Sequence, residues 1–246
     1  MSTSPKVLVL QHVACEPPGT YTPFLAKRGD LLTVRLDLDE AESLRDIDPD
    51  EVAAVVAMGG PMGVYETDLF PWINDEVAFI ADMVEAQVPF LGVCLGAQLL
   101  AAALGGRVFR GDRPEVGIGD VYLNSAAHDD PVLGGLAPKV AVLQWHSDTF
   151  TLPAGTTLLA SSDLYEHQAF CRGSAYGLQF HAETTWELAS QWLALDAYRQ
   201  SIEQALGPNG PERLARELQA TTAEITATAD HVVDNWLTTF VDPRLP

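Results

Sequence analysis

The sequence predicts an α/β protein with a mostly parallel central sheet, flanking short strands and a C-terminal helical extension. Three observations carry that reading. Residues 7–10, 32–36, 52–58 and 89–93 are short aliphatic and β-branched runs, the pattern of strands buried on both faces. Helical periodicity fills the gaps between them, and strands alternating with helices imply parallel pairing with both faces of the sheet covered. The 246 residues, 47% of them hydrophobic, suit one large domain or one domain with an appendage, and are too apolar for a disordered chain.

The elements follow in order. Residues 22–28 form a helix stopped by Gly29. Residues 71–87 place Ile73, Val77, Ile80 and Val84 at helical spacing, with Pro71 suited to a first turn. Residues 95–104 form a third helix closing on Gly105-Gly106. The texture then changes to short alternating segments, 119–123, 140–144, 156–160, 167–171 and 176–180, read as further strands, some antiparallel. Beyond Thr184 the chain turns helical in two blocks split by Gly207-Pro208-Asn209-Gly210-Pro211. The second block, 212–240, carries Leu214, Leu218, Ile225, Val232 and Trp236 at roughly helical intervals. A segment of about 30 residues rarely supports its own core. The expected organisation is therefore a domain over 1–193 with a helical extension, 194–246, packed on it.

Lys and Arg total 14 against 34 Asp and Glu, a formal net charge of −20, with acids concentrated in 37–51 and 212–234. Such an excess argues against nucleic acid, whose phosphates need basic side chains to displace counterions, and against anionic lipid. Cys15, Cys94 and Cys171 are far apart and odd in number. They support neither a disulfide framework nor a zinc site, and point to a reducing, cytoplasmic compartment. The apolar run after the N-terminal six residues is too short for a signal-peptide core. Residues 89–106 carry no charge, yet Pro89, four glycines and Gln98 interrupt them. A strand followed by a helix explains them better than a membrane span.

Chemistry concentrates in three motifs. Gly92-Val93-Cys94-Leu95-Gly96 lies between a buried strand and a helix, where a tight turn forces its central residue into a strained conformation and pushes the side chain out above the sheet. A cysteine there sits at a helix N-terminus, which favours thiolate, and the Leu95 N–H points toward an oxyanion formed on an attacked carbonyl. A buried, inert cysteine is the alternative. Gly177-Leu178-Gln179-Phe180-His181-Ala182-Glu183 ends a predicted strand, so His181 and Glu183 face the same way and Glu183 can hold the imidazole tautomer. A strand-end histidine followed by a helix-capping glutamate is the alternative there. Met58-Gly59-Gly60-Pro61 follows another parallel strand, where paired glycines let the backbone approach a ligand; an ordinary turn is the alternative.

Together these motifs resemble the class I, or triad, glutamine amidotransferases, in chain order and over residues 7–193. The free-standing, GMP-synthase-like subgroup is the nearer resemblance, through Leu10-Gln11-His12, Glu16-Pro17-Pro18-Gly19, Gly59-Gly60-Pro61-Met62-Gly63-Val64, Phe70-Pro71-Trp72 and Trp145-His146-Ser147-Asp148. The resemblance implies a flavodoxin-like αβα sandwich. It makes Cys94 the nucleophile, His181 the base and Glu183 its orienter, with the N–H groups of Gly60 and Leu95 as oxyanion hole. Gly59, Pro61, Gln98 and the segment His146, Ser147, Asp148 are the implied substrate contacts. No metal and no organic cofactor is implied. Proline is common in the family where Ala182 stands, which loosens that turn.

The implied reaction cleaves the glutamine side-chain amide through a cysteine thioester, giving glutamate and ammonia for an unidentified acceptor. No phosphate-binding loop is present, and the ~60 residues after Thr184 are too few for a synthetase. The implied partners are therefore glutamine or another γ-glutamyl small molecule and a separate synthetase subunit, with a homodimer left open. A stand-alone γ-glutamyl peptidase is one alternative. A second is a partner-dependent or non-catalytic subunit of a synthetase. Elsewhere, His146 with Asp148 is a weaker base pair, and His128-Asp129-Asp130 reads as a solvated turn more than a metal site. His12, His167 and His231 have no partner visible in sequence, Gly117-x-Gly119 lacks a nucleotide-binding context, and Trp186, Trp192 and Trp236 are expected to pack the helical appendage.

Overall fold

A computed structural model describes residues 5–38 and 44–245; residues 1–4, 39–43 and 246, and with them part of the acidic stretch 37–51, lie outside it. The elements run β1 (Lys6–Gln11), α1 (Thr22–Leu25), β2 (Asp30–Arg35), β3 (Val52–Ala57), α2 (Trp72–Glu85), β4 (Phe90–Val93), α3 (Leu95–Ala103), β5 (Val108–Leu123) and α4 (Ser125–His128). They continue with β6 (Lys139–Phe150), β7 (Thr157–Ser161), β8 (Ala169–Arg172), β9 (Ala175–Leu178), α5 (Trp186–Ala194), α6 (Asp196–Leu206) and α7 (Gly210–Trp236).

Among the described residues, nine strands join one sheet in the order β2-β1-β3-β4-β9-β8-β7-β5-β6. The first five are parallel, in the 2-1-3-4-5 order of flavodoxin-like folds, and the rest extend the sheet with antiparallel pairs. Alternation along each parallel strand sorts its side chains to two faces. Leu8, Leu10, Val55 and Ala57 pack against Ile73, Ile80 and Met83 of α2 and Leu99 and Leu100 of α3. Val7, Val9, Ala54 and Val56 share the opposite core with Tyr21, Leu25 and the Ile225, Ala229, Val232 and Trp236 face of α7. The α/β class expected from the sequence is the fold observed.

Several boundaries differ from expectation, among them β6, which runs Lys139–Phe150 where the pattern predicts 140–144. The first helix ends at Leu25, because the Lys27 and Arg28 N–H groups reach back only three residues, to Phe24 and Leu25, in a tightened final turn. β5 is 16 residues long where the alternating pattern predicts only 119–123. Charged residues and Pro114 break its alternation, and pairing to β6 with a register shift between Arg110 and Glu115 carries the strand through. The first C-terminal block is two helices, parted at Leu195, whose extended backbone (φ −86°, ψ 126°) no glycine or proline signals. No helix among the described residues is long and apolar enough to cross a membrane.

Candidate active site

The carboxyl ends of β1, β3, β4 and β9 converge on one crevice, where ligands of open parallel sheets lie. Cys94 sits there, capping α3 directly after β4, with φ 52° and ψ −103°. The turn is possible because of its flanking glycines. A Cβ on Gly92 would lie 2.4 Å from the Gly96 carbonyl oxygen, and one on Gly96 would lie 2.1 Å from that of Ala57. Leu95 opens α3, so its N–H has no intrahelical acceptor. Gln179 directs its amide nitrogen to the Cys94 Sγ at 3.8 Å, and Gln98 in turn donates to Gln179 Oε1 at 3.1 Å.

His181 and Glu183 lie past the end of β9, which stops at Leu178, two residues short of the strand expected over 176–180. An isolated antiparallel bridge between His181 and Leu143 of β6, with N···O distances of 2.8 and 3.1 Å, keeps the backbone extended instead. The two side chains therefore still face together: His181 Nδ1 donates to Glu183 Oε1 at 2.8 Å, both side chains being 3% exposed. Burial pulls the His181 pKa down, but Glu183 and Cys94, by charge and hydrogen bonding, outweigh it and hold the ring well above the ordinary imidazole value. Trp192 meets the ring edge-on at 5.4 Å, which makes it part of the site and not only packing for the appendage.

Gly59 and Gly60 follow β3. Gly59 lies behind the cavity wall, where a Cβ would be 2.1 Å from Glu16 Oε2 and 2.9 Å from the His181 ring. Gly60, Pro61, Gln98, His146, Ser147 and Asp148 line a cavity of about 370 Å³ together with Cys94 and His181. His146 does not pair with the Asp148 carboxylate. Its Nδ1 donates to the Asp148 carbonyl at 3.0 Å and its Nε2 faces Glu115 at 3.1 Å, which fixes the strand segment. The remaining wall comes from residues to which the sequence motifs assign no role. Glu16 is buried beside His181, and burial raises its pKa against the pull of His181 and Tyr198. Tyr198 on α6 donates to Glu16 Oε1 at 2.5 Å, and Ser201 and Gln204 of the same helix complete a roof. Behind them, His12 forms a fully buried pair with Glu76 at 3.0 Å.

Among the described residues no group of three or more His, Cys, Asp or Glu is placed to hold a metal ion. His128 and Asp129 are exposed, while Asp130 caps the next turn through the N–H groups of Val132 and Leu133.

The family model for class-I glutamine amidotransferases matches residues 20–199. The chain belongs to that family. One of the subunits of a glutamine-hydrolyzing GMP synthase from Sulfolobus acidocaldarius is 36% identical over 148 residues, 58% of this chain and 70% of that protein. Its counterpart from Halobacterium salinarum is 35% identical over 158 residues, 63% of this chain and 78% of the relative. The crystal structure of a glutamine amidotransferase from Thermotoga maritima superposes with a TM-score of 0.82 at 28% identity, covering 96% of this chain and 99% of that one. One from Methylobacillus flagellatus gives 0.82 at 25% identity, covering 100% and 96%. In this amidotransferase the site residues named from motifs adjoin one another, while those missed reach it from distant sequence. Glu16 and Tyr198 are 182 positions apart and His12 and Glu76 are 64 apart. The sequence signal for Glu16 and His12 is their place in the Leu10-Gln11-His12 and Glu16-Pro17-Pro18-Gly19 motifs just after β1.

Proposed function

We propose that this protein hydrolyses the side-chain amide of glutamine through a thioester on Cys94. The observation that carries the reading is a strained thiol at a helix N-terminus, beside a buried histidine whose far nitrogen is held by Glu183. Cys94 Sγ attacks the amide carbon and its proton passes to the His181 Nε2 side. The carbonyl oxygen takes the electron pair and faces the N–H groups of Gly60 and Leu95. The tetrahedral species collapses with proton donation from His181 to the departing ammonia, leaving a γ-glutamyl thioester. His181 then deprotonates water, which attacks the thioester, releases glutamate and returns the thiol. Glu183 keeps Nδ1 protonated and steadies the imidazolium. Gln98, Pro61 and the 146–148 segment hold the amino-acid end, and Gly59 acts from behind the wall. Residues 194–246 act as an extension of the 1–193 domain. That view is supported by the α6 residues lining the cavity and by the α7 side chains that share the core of the sheet.

The test is release of ammonia and glutamate from glutamine by the purified protein and its loss in Cys94→Ala. A chloroketone analogue of glutamine should label Cys94; equal labelling of wild type and Cys94→Ala sinks the reading. The ammonia goes to a separate acceptor-activating protein, a view supported by relatives that are themselves single subunits of a GMP synthase. Recovery of a stoichiometric synthetase that raises glutamine turnover tests it. One observation favours a second reading, cleavage of larger γ-glutamyl amides: Arg110, Val116 and Gln204 line the same cavity as Cys94, in addition to the residues assigned to glutamine. The relative turnover of glutamine and γ-glutamyl dipeptides separates the two.

A further inference from the structure

We propose that His12, backed by Glu76, is the positioning residue of the oxyanion hole, its Nδ1–H gripping the Gly59 carbonyl so that the Gly60 N–H is aimed into the cavity. The inference rests on the functional reading above and assigns to it a residue pair remote from the reacting atoms. His12 Nδ1 lies 3.1 Å from the Gly59 oxygen, and Nε2 lies 3.0 and 3.1 Å from the two Glu76 oxygens. Both side chains are 0% exposed, and Trp72 stacks on the ring at 5.6 Å.

The peptide group explains why this grip matters. A trans peptide points its C=O and the following N–H in opposite directions. Holding the Gly59 oxygen from the core side therefore directs the Gly60 N–H away from the core, toward the cavity that Gly60 lines. Two consecutive glycines leave that peptide plane free to turn, and neither can be replaced to stiffen it. A Cβ on Gly59 would strike Glu16 and His181, and one on Gly60 would lie 2.9 Å from Leu95 and 3.0 Å from His12. The rigidity has to come from outside. Turned over, the peptide would present a carbonyl oxygen to the developing oxyanion and convert an attraction into a repulsion.

The protons on the ring close that alternative. A carbonyl oxygen only accepts, so Nδ1 carries a proton; a carboxylate only accepts, so Nε2 carries one too. Burial alone would lower the His12 pKa, yet the Glu76 charge and hydrogen bond, with Gly59 and Glu16 behind them, raise it above the ordinary value. A ring with two donors and no acceptor cannot receive a flipped Gly60 N–H. The same hydrogen bond polarises the peptide and strengthens its N–H as a donor. Stability is a poor rationale for the pair, since replacing a buried ion pair by apolar side chains is often neutral or stabilising.

The test compares three proteins. The double variant His12→Leu/Glu76→Leu removes the donor and leaves no buried charge; His12→Asn keeps an amide nitrogen where Nδ1 stood. With glutamine, the double variant should remain folded and lose about 100-fold in kcat at nearly constant KM, the effect of one missing oxyanion donor. His12→Asn should recover most of that loss. Inactivation by a chloroketone analogue of glutamine, which passes through an oxyanion, should slow in parallel, while alkylation of Cys94 by iodoacetamide, which does not, should hold its rate. If the double variant does not fold, His12→Gln, which reaches Glu76 but not Gly59, replaces it. A folded variant with kcat within about threefold of wild type overturns the proposal, as does equal slowing with both reagents. If wild type itself neither turns over glutamine nor reacts with the chloroketone, the functional reading fails instead.

Discussion

Two buried histidine–glutamate pairs stand on either side of Gly59, built from the same parts and left in different states of completion. At His12 both ring nitrogens are taken, one by the Gly59 carbonyl and one by Glu76. At His181 Nδ1 is held by Glu183, while the other side of the ring is left to the Cys94 thiol. A fully occupied ring is a fixed donor, able to hold a backbone but not to exchange a proton with a substrate. A half-occupied ring keeps its orientation and tautomer while one nitrogen stays available for chemistry. Occupancy of the second nitrogen, more than burial or charge, separates a structural imidazole from a reactive one here.

The largest way to break the comparison is to remove the available nitrogen. His181→Leu is expected to lower kcat/KM for glutamine by about 10⁴-fold, read by ammonia release, since nucleophile and base act as a unit. Next comes Glu183→Gln, with an expected loss of about 10³-fold through the wrong tautomer. Glu183 helps hold the His181 pKa above 6.5, so removing its charge lowers that value. The alkaline limb of the kcat profile, where the imidazolium acid is lost, should accordingly move to lower pH.

Breaking the complete pair should act on folding. Glu76→Ala strands His12 in the core and is expected to destabilise by about 3 kcal/mol in urea unfolding. The sign of its pH dependence follows from the raised His12 pKa. The pair's contribution is fully present below the unfolded value of about 6.5 and fades as pH rises through the folded value. The gap between wild type and Glu76→Ala should therefore narrow on going from pH 6 to pH 9. The smallest effect is expected from Tyr198→Phe, which deprives Glu16 of a donor, at about 1 kcal/mol of stability with a few-fold rise in KM.

The same contrast marks what was legible in the sequence. His181 and Glu183 are two residues apart on an extended segment, so their pairing is a matter of local geometry. Cys94 is fixed by the glycines on either side of it. Of the parallel strands, β1, β3 and β4 are likewise written as apolar runs, whereas the edge strand β2 is largely exposed where burial on both faces is expected, and β9 reads only as one of the short alternating segments. His12 and Glu76, or Glu16 and Tyr198, meet only because β1, α2 and α6 converge in the folded chain, and no spacing rule announces such a meeting. β5 outruns its sequence pattern for a related reason, since the pairing that resumes at Arg110 and Glu115, on either side of residues 111–114, belongs to β6.

One property of the Cys94 turn reaches past catalysis. A non-glycine residue at φ 52° holds on the order of 1–3 kcal/mol of backbone strain that the fold must absorb. Glycine adopts that conformation freely, so Cys94→Gly should melt a few degrees above Cys94→Ala, both proteins being inactive. The thiol thus sits where stability and activity oppose each other. Drift in a chain with no turnover to maintain would run toward the glycine and a more durable, silent fold.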